Sequence, residues 1–223
     1  MKTLRNTTLP LLLAFSVSGN MTPARADEPT DQIRQTSDKL LALVDNAALK
    51  GPDKDKERKK QMRQVIDERF DWGAMSRSAY GKNWRGLTEA QRSEFTALFS
   101  DLIEETYMAK VESYTGEKIL YKGDKIDGAY GVVDTVVVTL RGTDIPVSYR
   151  VLNKGAEWFV YDISIEGVSL VNNYRSQIGA ILNSSSHDNL IVRLKAKITA
   201  KAAEPEEEKA RGSTGKTKGE GNL

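Results

Sequence analysis

The sequence contains no cysteine and a single histidine, His187. Without cysteine, disulfide bonds and thiolate zinc sites are excluded. With one histidine, a histidine-rich metal site or a histidine-based catalytic triad is not expected. The Walker A, G-x-S-x-G, H-E-x-x-H and G-x-G-x-x-G motifs are also absent. We therefore predict a protein that is not an enzyme and that holds no metal or cofactor.

An excess of charge of one sign is also lacking. The 223 residues include 33 basic and 31 acidic side chains, a formal net charge of +2. Such a balance does not give the basic footprint that nucleic-acid binding requires, so no nucleic-acid partner is predicted. Apolar residues make up 39% and charged residues 29% of the chain, which is typical of one soluble domain with extensions.

The N-terminal segment has the pattern of a secretory signal peptide. Lys2 and Arg5 precede an apolar run over Leu9–Val17, and Ala24–Ala26 supplies a small-x-small cleavage site. The apolar run is shorter than the ~20 residues that span a bilayer. We predict cleavage after Ala26 and export. Cleavage leaves 30 basic and 31 acidic residues, which changes the net charge from +2 to −1.

Helical spacing of apolar residues dominates the first half of the remaining chain. It predicts one amphipathic helix over 27–50 and a second that continues to Phe70. An aromatic-rich segment, 71–86, separates these helices from a third. Thr88 and Gln91 form a T-x-x-Q capping box that marks the start of the third helix, which is predicted to end near Tyr114.

From Lys118 the apolar pattern changes to period two, the spacing of strands. Four strands joined by tight turns are predicted, at 118–122, 132–141, 145–151 and 158–165, as an antiparallel meander. Alternation predicts three sets of residues that each share a face: Val136, Val138 and Leu140 in the second strand, Ile145, Val147, Tyr149 and Val151 in the third, and Phe159, Tyr161, Ile163 and Ile165 in the fourth.

Two further helices are predicted, one that includes Val168 and Val171 and one that starts near His187. Beyond Lys201 the chain has almost no apolar residues and is predicted to be a disordered charged tail. The predicted organisation is a signal peptide (1–26), one domain (27–200) and the tail (201–223). The order of elements predicts an α+β fold, with helices packed on one twisted four-stranded antiparallel sheet.

The helices and strands carry many apolar side chains that need burial. They can be buried either in one filled core or around a hollow apolar pocket. Periodicity alone does not distinguish the two. Asp162 beside Tyr161 would be the acid and phenol of a small isomerase, but neighbours along a strand point to opposite faces.

Several linked blocks of sequence resemble the MlaC family, also called the toluene-tolerance auxiliary family. The main block runs from Tyr161 to Val171 and is followed by Asn173–Ser176. Upstream, Leu87–Arg92 with Phe95 and Phe99 resembles the family's T-x-x-Q-R-x-x-F helix start. Two further matches are Gly81–Trp84 and the strand from Trp158 to Ile165. The resemblance covers roughly residues 65–195.

This resemblance implies a cystatin-like, cone-shaped fold with an apolar pocket between helices and sheet. It also implies a monomeric periplasmic carrier whose pocket takes phospholipid tails and which serves outer-membrane lipid asymmetry. The implied partners are an inner-membrane ABC transporter complex with a lipid-binding ring protein and an outer-membrane lipoprotein–porin complex. A related branch is associated with hopanoid gene clusters, so the lipid class stays open.

Candidate pocket residues follow from the apolar faces and from their positions within the matched blocks. They are Trp72, Met75, Tyr80, Leu98, Phe99, Leu102, Val138, Val147, Tyr149, Ile163, Val168 and Val171. Two other interpretations stay open at this point. One is a periplasmic chaperone or adaptor that binds apolar peptides, and the other is a small isomerase or hydratase on a similar scaffold.

Overall fold

The computed structural model describes residues 28–140 and 142–202. The predicted signal peptide and all of the predicted tail beyond Ala202 lie outside the described residues. The helices and strands occur in this order: α1 Pro29–Asp45, α2 Asp55–Asp67, α3 Trp72–Tyr80, α4 Glu89–Glu112, β1 Lys118–Asp127, β2 Tyr130–Val138, β3 Asp144–Lys154, β4 Glu157–Ile165, β5 Val168–Ser169, α5 Leu170–Ser184 and α6 His187–Ala202. Short 3-10 segments occupy Ala47–Leu49, Pro52–Lys54 and Gly81–Gly86.

The strands form one antiparallel sheet in the order β1-β2-β3-β4-β5, which confirms the α+β prediction. The predicted strand count was one short, because β5 was not anticipated. Val168, which we predicted to be helical, pairs with Ile165 in β5. The helix begins only after Ser169, whose side chain accepts a hydrogen bond from the Asn172 N–H at 3.0 Å and so acts as the N-cap.

The start of α4 is as predicted. The Thr88 hydroxyl accepts from the Gln91 N–H at 3.3 Å, and the Gln91 side chain accepts from the Thr88 N–H at 2.9 Å. The aromatic segment before it was not predicted to be helical. It contains α3, because Asp71 caps Ala74 at 2.9 Å and so supplies a helix start.

A β-bulge overturns the predicted alternation in β4. Alternation placed Phe159 and Ile163 on one face. In the pairing with β3, Val160 lies opposite Val151 and Ile163 lies opposite Tyr149, so Tyr161 is an extra residue. Because a bulge shifts the period by one, Val160 shares a face with Ile163, and Phe159 lies on the other face.

Buried apolar side chains form two separate clusters. The helical cluster joins α3, α4, α5 and α6 and consists of Met75, Ala79, Tyr80, Phe95, Phe99, Leu102, Ile103, Val171, Tyr174, Ile178, Ile181, Leu190, Ile191 and Leu194. The sheet cluster consists of Ile33, Val133, Val151, Trp158 and Val160. Phe70 packs against both clusters. The core is therefore divided between a helical layer and the sheet with α1.

Two arginines of α2 attach this helix to α4. Arg58 donates to Glu112 at 2.9 Å, and Arg63 donates to Asp101 at 2.8 Å and also to Glu104. The side chains of Arg58 and Glu112 are largely buried, so this pair is less screened than a surface ion pair. These contacts fix α2 beside the helical layer.

Candidate functional site

One face of the sheet is apolar and covered. Residues opposite one another on antiparallel strands share a face, so the register defines a row of Val133, Tyr149 and Ile163. The next rows on this inner face are Thr135, Val147 and Ile165, and then Val137 with Ile145. Val133 and Thr135 are buried. The other, outer face carries Leu120 and Tyr130, which are 42% and 55% exposed. The helices thus cover the inner face.

Helix α1 lies on this inner face and contacts strands β1, β2 and β4. Its Ile33 belongs to the sheet cluster. Its Gln32 accepts from the Trp158 N–H at 2.9 Å and from Arg69 at 2.7 Å, and Arg69 also donates to the Trp158 carbonyl at 2.7 Å. This buried polar junction fixes α1 at one end of the sheet, while the apolar rows continue toward the other end.

The tyrosines of the inner face stay protonated near neutral pH. Burial, together with the nearby Tyr121 phenol, raises the pKa of Tyr149 to about 12. Burial also raises the pKa of Tyr121. The Thr135 hydroxyl donates to the Val147 carbonyl at 2.8 Å. The phenols of Tyr121 and Tyr149 stay uncharged, and the Thr135 hydroxyl already has a hydrogen-bond partner. These rows are therefore suited to contact with an apolar ligand.

The raised pKa of Tyr149 predicts how stability changes with alkaline pH. Below pH 10 the phenol is neutral in both states, whereas between 10 and about 12 only the unfolded chain ionises it. Stability is therefore lost as pH rises through this window. Tyr149→Phe should reduce the loss, measured by urea unfolding on either side of pH 10. Tyr130→Phe is the control because its ring is exposed. An equal effect of both variants would contradict the prediction.

The structure places most of the predicted pocket residues beside one of the two clusters. Met75, Tyr80, Phe99, Leu102 and Val171 are buried members of the helical cluster, and Trp72 and Leu98 pack at its border. Tyr149 and Ile163 pack at the border of the sheet cluster. Val147 is half-buried on the same inner face. Their role as lipid contacts stays a prediction.

Two predicted pocket residues lie apart from the rest. Val138 is opposite Lys118 and Asp144 on the outer face, because it is an odd number of residues from Val133 and Val137 along β2. Val168 is 58% exposed in β5. The structure does not bring either residue together with the inner rows.

The candidate pocket residues left out part of the inner face, namely Tyr121, Val133, Val137 and Ile145, and also Ile33 of α1, which packs in the sheet cluster. Alternation did group Ile145 with Val147 and Tyr149. Residues 136–138 are all valine, so alternation did not show which face is covered. The register aligns Val137 with Ile145 and Thr135 with Val147, and the burial of Val133 and Thr135 shows that this face is the covered one. A correct register between β2 and β3 would have shown which residues of the two strands share that face.

Asp162, the acid considered for an isomerase, has a structural role. Its carboxylate accepts from the Ser169 hydroxyl at 2.6 Å and from the Val171 N–H at 3.1 Å. It therefore ties β4 to the start of α5. Within residues 28–140 and 142–202, no group of three or more His, Asp or Glu side chains is placed to hold a metal ion. In the same ranges, no helix combines the length and apolarity needed to cross a membrane.

The fold and this face define an α+β domain with a covered apolar inner surface. The family described as "MlaC protein" matches residues 34–196, and the chain belongs to that family. A relative from Haemophilus influenzae, the "Intermembrane phospholipid transport system binding protein MlaC", is 28% identical over 119 residues. That match covers 51% of this chain, and the chain spans only 56% of the relative.

A solved structure has the same fold. It is a phospholipid-binding protein from Ralstonia solanacearum in complex with a phospholipid, with a TM-score of 0.71 and 23% sequence identity. The match covers 78% of this chain and 99% of that one. This likeness confirms the predicted architecture of helices on an antiparallel sheet.

Proposed function

We propose that this chain is a periplasmic carrier that shields phospholipid acyl chains between the inner face of the sheet and the overlying helices. Family membership, together with the phospholipid named for both similar proteins, is the observation that carries the proposal. The divided core supports it. Tyr149 and Ile163 border the sheet cluster, and Leu98 borders the helical cluster, so apolar side chains stand on both sides of the division.

The energetics of such cargo constrain the mechanism. Two acyl chains carry ~30 methylenes, and burial at ~0.8 kcal/mol each exceeds ~20 kcal/mol relative to water. Non-covalent affinities reach a ceiling of about 18–21 kcal/mol. The relevant reference state is therefore a bilayer or another lipid-binding protein. The free energy of the lipid in the carrier must therefore be close to its free energy in the bilayer or in the other protein. Exchange then needs only a modest opening of the helices over the sheet.

The proposed route runs between two membranes. An inner-membrane ABC transporter complex with a lipid-binding ring protein would exchange lipid with the carrier on one side. An outer-membrane lipoprotein–porin complex would do so on the other side. Removal of a signal peptide after Ala26 would place the mature chain between them. The name of the Haemophilus relative, an intermembrane transport binding protein, supports this route.

Native mass spectrometry of the gently purified protein, followed by lipid identification, tests the proposal. We expect a mass increment that dissociates as one intact phospholipid, because the apolar rows offer no covalent attachment. An unrelated exported protein with the same purification tag is the control for carried-over membrane lipid. Copurified peptides without lipid would favour a chaperone or adaptor, and an increment that is a hopanoid would change the cargo class. A protein that never carries lipid would refute the carrier function.

A further inference from the structure

A cleft of about 600 Å³ lies at the border of the helical cluster, between the end of α3, the 3-10 segment after it and α5, and Tyr80 of that cluster contributes to its lining. We call it the basic cleft and define it by Arg77, Lys82, Asn83, Arg175, Gly179 and Asn183. The three cationic side chains are exposed. None of the residues that line the cleft is acidic. In a chain with a net charge near zero, three converging cations form a local positive field.

The cations of this cleft differ from many others in the fold in their distance to carboxylates. Arg58, Arg63, Lys154 and Lys195 each lie within 4.0 Å of a carboxylate. Among the described residues, no carboxylate lies within that distance of Arg77, Lys82 or Arg175. Their charges are thus available to an anion from solution.

Arg175 is held in a position that suits the binding of an anion. Its Nε donates to the Ser78 carbonyl at the end of α3, at 2.6 Å. Gly81 follows with φ +69°, and a Cβ at that position would lie 3.7 Å from Arg175 Cγ. The guanidinium is therefore anchored through Nε, and its two Nη groups remain as a fork for an oxyanion. Such anchoring lowers the entropy lost when an anion binds.

A glycine keeps the opposite wall of the cleft open. Gly179 lies within α5, where glycine costs about 1 kcal/mol relative to alanine. A Cβ at this position would meet nothing within 4 Å. Packing therefore does not require glycine here, and any longer side chain would extend toward the cleft.

We propose that the basic cleft binds a phosphate group. Three cations suit a dianion better than a single carboxylate, and a guanidinium fork matches phosphate oxygens. The side-chain amides of Asn83 and Asn183 can donate further hydrogen bonds. The phosphate comes either from a soluble phosphate ester or from the headgroup of a membrane lipid. Tyr80 is the one candidate pocket residue that lines the cleft, and none of the inner rows of the sheet does, so phosphate binding here does not depend on the acyl-chain site.

The test compares two triple variants with equal loss of charge. The cleft variant carries Arg77→Gln, Lys82→Gln and Arg175→Gln. The control carries Lys56→Gln, Lys60→Gln and Arg193→Gln, all at exposed positions outside the cleft. Inorganic phosphate and sn-glycerol 3-phosphate are titrated at constant ionic strength and followed by amide chemical shifts. We expect binding at least tenfold weaker in the cleft variant and unchanged in the control.

The source of the phosphate is tested with phosphatidylcholine vesicles prepared with and without phosphatidylglycerol. Cosedimentation that needs phosphatidylglycerol and is lost in the cleft variant identifies a membrane headgroup. Soluble phosphate binding without cosedimentation identifies a soluble ester.

A second variant keeps the charges unchanged. Gly179→Leu fills the cleft, and we expect it to weaken phosphate binding while the circular dichroism spectrum stays native. Equal binding by the cleft variant and the control would overturn the proposal and leave Arg175 with its structural bond to the Ser78 carbonyl. Binding of a polyglutamate peptide but not of phosphate would overturn it too. Lipid that copurifies with the chain should not change in the cleft variant, so this result is separate from the carrier function.

Discussion

Val147→Glu should lower the amount of phospholipid that copurifies with the protein at least tenfold. Val147 is half-buried on the inner face, in the row with Thr135 and Ile165. A carboxylate among acyl chains loses its hydration without gaining a partner, which costs several kcal/mol, whereas about 1.4 kcal/mol already corresponds to a factor of ten. The measurement is phosphorus per mole of purified protein, with lipid identity from mass spectrometry.

Val136→Glu is the matched control for this prediction. Val136 is also a half-buried strand valine, but it lies on the outer face opposite Pro146 and Leu120. We expect it to keep its lipid. Circular dichroism and urea unfolding would show that both variants fold. If both lost lipid equally, or if only the control did, the inner face would not be the acyl-chain site.

Phe99→Ala should lower the free energy of unfolding by about 3–5 kcal/mol, the cost of truncating a fully buried phenylalanine. The ring has no solvent exposure. It stacks on Phe95 with ring centroids 5.7 Å apart and meets Tyr174 edge-on at 5.4 Å. Urea unfolding gives the value. Phe159→Ala, at a half-buried position on the outer face, is expected to cost much less.

This prediction also tests which predicted pocket residues are core. If Phe99 packs as core, truncation costs stability and leaves the lipid content of the folded fraction unchanged. If it lines an acyl-chain cavity, the loss of stability is small and the lipid content changes instead. The same logic applies to Leu102 and Val171, which are 0% and 3% exposed. A glutamate at either position is expected to prevent folding.

Local signals in the sequence predicted much of the architecture. The capping box at Thr88 positioned α4, because a hydroxyl and an amide three residues apart satisfy backbone N–H groups within one turn. Period-two patterns and tight turns predicted the meander that forms most of the sheet. The start of α6 at His187 was also confirmed. The family could be recognised from sequence because its linked blocks occur in one order.

Local signals did not show which apolar faces are covered. Tyr161 is an extra residue at a bulge, which depends on the pairing with β3 and not on β4 alone. Val138 and Val147 looked alike in sequence, and only the register between β2 and β3 put them on opposite faces.

The sequence alone thus determined most of the element types and the family, since caps, periodicity and motif blocks are each read within one segment of the chain, whereas the export of the chain stays a prediction. The tertiary structure decided the rest. It divided the core into two clusters, gave Asp162 its role in holding α5, and brought Arg77 and Lys82 beside Arg175, more than 90 residues away. The physical reason is that strand register and helix packing depend on non-local contacts, which periodicity in one segment does not encode.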